Sequence, residues 1–130
     1  MNQPTYQLLI TGGTIDSEYD IRTYSVSLLP KSVVKPYIDK YIRPDFVVRE
    51  KVISLVDGRQ MTDAIRERIL QAIRESKSNN IIITHGTATM VETGQYLKQR
   101  IVKRSKIAGQ ENRAGGGVLS DDFLADGCAV

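Results

Sequence analysis

The chain of 130 residues holds a single cysteine, a single histidine and four prolines. The lone Cys128 offers no intramolecular disulfide and no thiolate metal cluster. No apolar run approaches the ~20 residues that a membrane span needs, so no membrane partner is expected. The polar start, Met1 to Tyr6, runs into an apolar segment without a basic leader; this is not a signal-peptide layout, and a cytoplasmic location is expected. Neither sign of charge dominates, with 18 Lys and Arg against 15 Asp and Glu, a net charge of +3. Lys98, Arg100, Lys103, Arg104 and Lys106 do cluster. No aromatic interleaving or nucleic-acid motif accompanies them, so they read as a solvated helix end and no nucleic acid is expected. Gly-x-Gly-x-x-Gly and Gly-Lys-Ser/Thr are both absent, which argues against nucleotide binding.

What is present is the composition of a globular domain, 41% apolar and 25% charged. Tyr6 to Thr11 reads as a short apolar strand ended by Gly12-Gly13. Thr14 to Leu29 is polar, has no helical stripe and reads as a surface loop or lid. Val34, Tyr37, Ile38, Tyr41 and Ile42 fall on one helical face, with Pro36 in its first turn and Pro44 beyond its end. Phe46 to Ile53 is rich in β-branched residues and reads as a second strand. Thr62 is placed to cap a helix with Ile65, Ile69, Ala72 and Ile73 inward. Ile81 to Thr84 is a third strand, and Met90, Gly94, Leu97 and Ile101 stripe a third helix. This order predicts an α/β fold, a doubly wound, Rossmann-like parallel sheet with flanking helices over residues 1–104. Residues 105–130, with Gly109, Gly115, Gly116, Gly117 and Gly127, keep no period and read as a poorly structured C-terminal extension.

Ligands bind outside the carboxyl ends of the strands in such sheets. Gly12-Gly13-Thr14 follows the first strand and His85-Gly86-Thr87 the third, so two hydroxyls, Thr14 and Thr87, face a common crevice. Their glycines allow close backbone approach and expose N–H groups. A threonine with an activating base and backbone donors nearby suits acyl transfer, although the motifs by themselves do not establish it. Thr14 could instead merely bond local backbone. His85 reads as a packed histidine rather than a general base, and Thr89 and Glu92 as cap and first-turn acid of the third helix.

Leu9-Ile-Thr-Gly-Gly-Thr-Ile15 and Ile83-Thr-His-Gly-Thr-Ala-Thr-Met-Val-Glu-Thr93 resemble the two signature segments of the bacterial-type L-asparaginase family. The likeness is closer still to short single-domain proteins related to that family's N-terminal domain. Val56-Asp-Gly-Arg-Gln-Met-Thr62 resembles the substrate-binding turn, and Arg22-Thr-Tyr-Ser-Val26 the lid that carries a catalytic tyrosine. The resemblance implies a threonine amidohydrolase acting on the side-chain amide of asparagine. Thr14 would be the nucleophile, Tyr24 its activator on the lid, and Thr87 the second threonine, which serves hydrolysis of the acyl-enzyme. Gly13, Gly58, Arg59 and Ala88 would line the substrate. No metal or organic cofactor is implied, and a homo-oligomer is.

The chain departs from the family at three places. Ala88 stands where the family has an aspartate, and Gly58 where it has a serine, with Arg59 beside it as a substitute partner for a carboxylate. No residue of the 105–130 stretch can be assigned as the triad lysine, so the domain reads as C-terminally incomplete. These departures imply impaired catalysis. The alternatives are a non-catalytic small-molecule-binding module and a fragment that docks on a full-length subunit.

Overall fold

The computed structural model describes residues 3–107. Strand β1 (Thr5–Gly12) lies at the centre of a three-stranded sheet, flanked by β4 (Val47–Val56) and β5 (Asn80–Thr84). Both flanking strands run parallel to β1. From β1 the chain steps to β4 on one side, then crosses back over β1 to β5 on the other. Right-handed crossovers in opposite directions put their helices on opposite faces of a sheet, which is double winding. The switch point between β1 and β5 therefore opens a crevice at the strands' carboxyl ends.

The helices fill those faces as the apolar spacing predicts. Helix α2 (Asp63–Glu75) starts at Thr62, whose side chain accepts the Ile65 N–H. Its Ile69, Leu70 and Ala72 are buried with Leu9 of β1, Ile53 of β4 and Leu97 of α3 (Met90–Ile107) in the main core. Leu8 and Ile10 are equally buried and, by the period-two alternation of a strand, face the other side of β1. Double winding assigns that side to the first connection, which contains α1 (Val34–Tyr37) and its wider continuation Ile38–Ile42. Arg43, at φ 47, then turns the chain into Pro44. The apolar face expected on this helix is only partly used. Val34 and Ile38 are half-buried, whereas Tyr37, Tyr41 and Ile42 are exposed. The likeness of the sheet and its helices to an α/β, Rossmann-like fold holds.

One detail differs from the sequence expectation. Residues 14–29 are not an irregular loop: a turn, Thr14–Asp16, leads into an antiparallel hairpin of β2 (Ser17–Asp20) and β3 (Ser25–Leu28). Both strands are short and largely exposed, so no apolar alternation announces them. Helix α3 runs to Ile107, and the rest of the 105–130 extension, with Cys128, lies outside the described residues. Among the described residues, no helix is long and apolar enough to cross a membrane.

Candidate active site

Three loops leave the carboxyl ends of β1, β4 and β5, and hydroxyls stitch these ends together. Thr11, buried in β1, donates its side-chain proton to the Thr84 carbonyl of β5, and the Ser54 hydroxyl of β4 donates to the Thr11 carbonyl at 3.2 Å. One residue on, the β1–β4 register is broken between Ile10 and Gly12, so Gly12 lies opposite Val56. Gly12 sits at φ 105, and a Cβ there would stand 2.5 Å from the Val56 backbone. Gly13 follows at φ 89 and donates its N–H to the Val56 carbonyl at 3.0 Å. Only glycine meets both demands, a left-handed backbone and contact with another main chain.

Beyond the strands the loops close on one another at three glycines. A Cβ on Gly13 would lie 2.7 Å from the Gly86 nitrogen, and one on Gly86 2.8 Å from the Gly58 Cα. Gly13, Gly58 and Gly86 are buried, and together they form a floor of main chain. Thr14, Arg59, Thr87 and Ala88 stand exposed around it. The result is an open cleft of about 150 Å3 lined by Gly13, Thr14, Asp57, Gly58, Arg59, Gly86, Thr87 and Ala88. Every site residue expected from the sequence is on its wall except Tyr24. That side chain is at the hairpin tip, in a left-handed turn at φ 51 and 80% exposed.

Gly86 lines the cleft as its place after β5 predicts, and Asp57 lines it without having been assigned a role from the sequence. Asp57, part of the segment that resembles the substrate-binding turn, caps the turn Gly58–Gln60. Its carboxylate accepts the Arg59 N–H at 2.8 Å, and its own N–H donates to the Gln60 side chain at 3.3 Å. The bonds from the Arg59 backbone and guanidinium hold the Asp57 carboxyl below the ordinary carboxylate range. Arg59 is thereby drawn back onto Asp57 at 3.4 Å. Thr89 also corrects an expectation: its hydroxyl donates to the Gly58 carbonyl, a tie between two loops.

Asp16 is a second residue whose role had no sequence signal, since it sits in a polar run. It is fully buried and ends the turn that Thr14 begins. Its N–H donates to the Gly13 carbonyl at 3.1 Å, its carbonyl accepts the Leu29 N–H at 2.8 Å, and Oδ1 accepts the Val33 N–H at 2.8 Å. Both feet of the hairpin are thus pinned next to Thr14.

His85 lies behind the cleft rather than in it. One ring nitrogen meets the Gly86 carbonyl at 2.7 Å and the other the Thr93 hydroxyl at 2.8 Å. Burial is the main cause that lowers its pKa, which favours the neutral ring.

This arrangement has counterparts among solved structures. The thermostable L-asparaginase from Thermococcus kodakarensis aligns over 72% of this chain and 29% of its own, with a TM-score of 0.58 and 23% identity, a likeness of fold. The probable cytoplasmic L-asparaginase from Campylobacter jejuni aligns over 73% of this chain and 28% of its own, with a TM-score of 0.54 and 27% identity. L-asparaginase I from Vibrio cholerae aligns over 73% and 29%, with a TM-score of 0.55 and 26% identity. The chain thus spans less than a third of the length of these proteins. A search of curated proteins gives no match. Residues 7–107 match the asparaginase N-terminal domain family, and the chain belongs to it.

Proposed function

We propose that this chain is an asparaginase-type amidohydrolase domain, with the side-chain amide of L-asparagine as substrate and a threonine as nucleophile. The observation that carries this reading is the gathering of Thr14 and Thr87 on one cleft whose floor is the packed backbone of Gly13, Gly58 and Gly86. In this scheme the Thr14 Oγ1 attacks the amide carbon, the C–N bond breaks, and ammonia leaves with the hydroxyl proton. Water at the Thr87 side then cleaves the ester and releases aspartate. The main-chain donor at Thr87 faces the developing oxyanion, whereas the Gly13 N–H, also expected there, is engaged by the Val56 carbonyl. Tyr24 assists Thr14 once the hairpin tip closes on the cleft. Gly58 N–H and Arg59 take the substrate carboxylate. No cofactor is invoked. The working form is a cytoplasmic homo-oligomer.

Catalysis is impaired in this scheme because Ala88 supplies no carboxylate for the substrate ammonium. Ala88 on the cleft wall also favours a second reading, a binding module that keeps the crevice without turnover. Ammonia release from asparagine and from glutamine separates the two. Turnover of asparagine in preference to glutamine supports the enzyme, and binding without ammonia supports the module.

A further inference from the structure

Behind the cleft, three side chains from different elements form a hydrogen-bonded chain that has one consistent direction when the His85 ring is neutral. The Arg66 Nε–H of α2 donates to the Thr93 Oγ1 of α3 at 2.9 Å. Thr93 is 3% exposed, and its hydroxyl lies 2.8 Å from the His85 Nε2. At the far end, the His85 Nδ1 lies 2.7 Å from the Gly86 carbonyl. A carbonyl only accepts, so Nδ1 must carry the proton. Nε2 of a neutral ring is then an acceptor, and the Thr93 O–H donates to it.

We propose that His85 is a positioning residue: as the neutral Nδ1–H tautomer, it fixes the plane of the Gly86–Thr87 peptide and so aims the Thr87 N–H into the cleft. The peptide unit is planar and trans, with C=O and N–H pointing opposite ways. His85 holds the carbonyl from behind, so the Thr87 N–H faces the cleft that Gly86, Thr87 and Ala88 line. Thr87 opens the turn Thr87–Thr89, where an N–H has no partner within the helix and is available to a ligand. Its bearing on catalysis rests on the acyl-transfer reading, in which this N–H meets the oxyanion.

A charged ring reverses the His85–Thr93 bond. Nε2 then becomes a donor, the Thr93 oxygen accepts from both His85 and Arg66, and the buried Thr93 hydroxyl proton loses its ring acceptor. The charges that act on the ring are Arg66, itself 2.9 Å from Asp63, on α2 and Glu92 on α3. Arg66 opposes protonation and Glu92 favours it.

Because the chain has one histidine, its ring nitrogen signals are unambiguous in nuclear magnetic resonance. With the intact chain, the ring is expected as the Nδ1–H tautomer above pH ~7, and the Thr87 amide signal should shift with the same midpoint as the ring. An Nε2–H tautomer, or a Thr87 amide that ignores the ring's titration, overturns the proposal. His85→Asn keeps a donor at the Nδ1 position, whereas His85→Leu removes it. With asparagine, His85→Leu should lower kcat by roughly tenfold to a hundredfold with little change in KM, and His85→Asn should restore most of it. Equal loss in both variants contradicts a positioning role. If the wild-type chain shows no turnover, the enzymatic reading fails, and the wild-type titration still decides the role of His85.

Discussion

A Cβ on Gly86 would stand 2.8 Å from both the Cα and the nitrogen of Gly58, so the loops after β4 and β5 meet main chain to main chain. Backbone cannot swing aside as the end of a flexible side chain does. Gly86→Ala is expected to destabilise the fold by about 1–3 kcal/mol through overpacking, measured by urea denaturation. Gly58→Ser should be milder, because a Cβ there meets Gly86 at 3.2 Å, and a shift of a few tenths of an ångström relieves it. Equal losses from the two changes would contradict the packed floor.

Ala88 is exposed on the cleft wall, so a longer side chain at this position has room. Ala88→Asp introduces a carboxylate beside a cleft proposed to hold an ammonium group. A charge-assisted contact of this kind is worth about 1.5–3 kcal/mol, or roughly tenfold to a hundredfold in affinity. Isothermal titration with aspartate, the expected product, reads it directly. No gain in affinity would mean that the ligand does not place its ammonium there.

Asp16 joins the Gly13–Thr14 turn to both feet of the hairpin. Asp16→Ala leaves the Val33 N–H without its acceptor, at a cost of about 1–3 kcal/mol. The loss is local, so limited proteolysis should cut within 17–33 in the variant well before the wild-type chain. Asp16→Asn keeps an acceptor oxygen and should resist cleavage. Unchanged proteolysis of the alanine variant would show that the hairpin is held by other contacts.

The lowered pKa of His85 carries a sign for stability. Between the folded and unfolded values the unfolded chain binds more protons, so stability rises with pH through that window. The contribution is complete above the ordinary histidine value of ~6.5 and is lost as pH falls towards the lower folded value. Asp20, Asp57 and Glu75 also have lowered values, but their contributions fade only below pH ~4.5. The loss of melting temperature between pH ~7 and ~5 should therefore be smaller in His85→Asn than in the wild-type chain. An identical loss would assign the acid sensitivity to other groups.

Residues whose side chains repeat with the period of their element were legible in the sequence. Ile69, Ala72 and Leu97 announced the core face of α2 and α3, and Thr62 the start of α2. The cleft was legible for a different reason: glycines placed just after strands mark where main chains converge. The hairpin was not, because Ser17, Glu18, Ser25 and Ser27 give it no apolar alternation, and Tyr24 rather than glycine takes the left-handed turn. Asp16 and Asp57 were also hidden, since their roles come from backbone groups distant or turned towards them rather than from any spacing of residue types.

The central claim is that Thr14 attacks an amide in this cleft, and ammonia release from asparagine by the wild-type chain and Thr14→Ala tests it most directly. The account predicts slow release by the wild-type chain, none above background in Thr14→Ala, and an unchanged melting temperature, because Thr14 is exposed. Release that continues unaltered in the folded Thr14→Ala variant would contradict it.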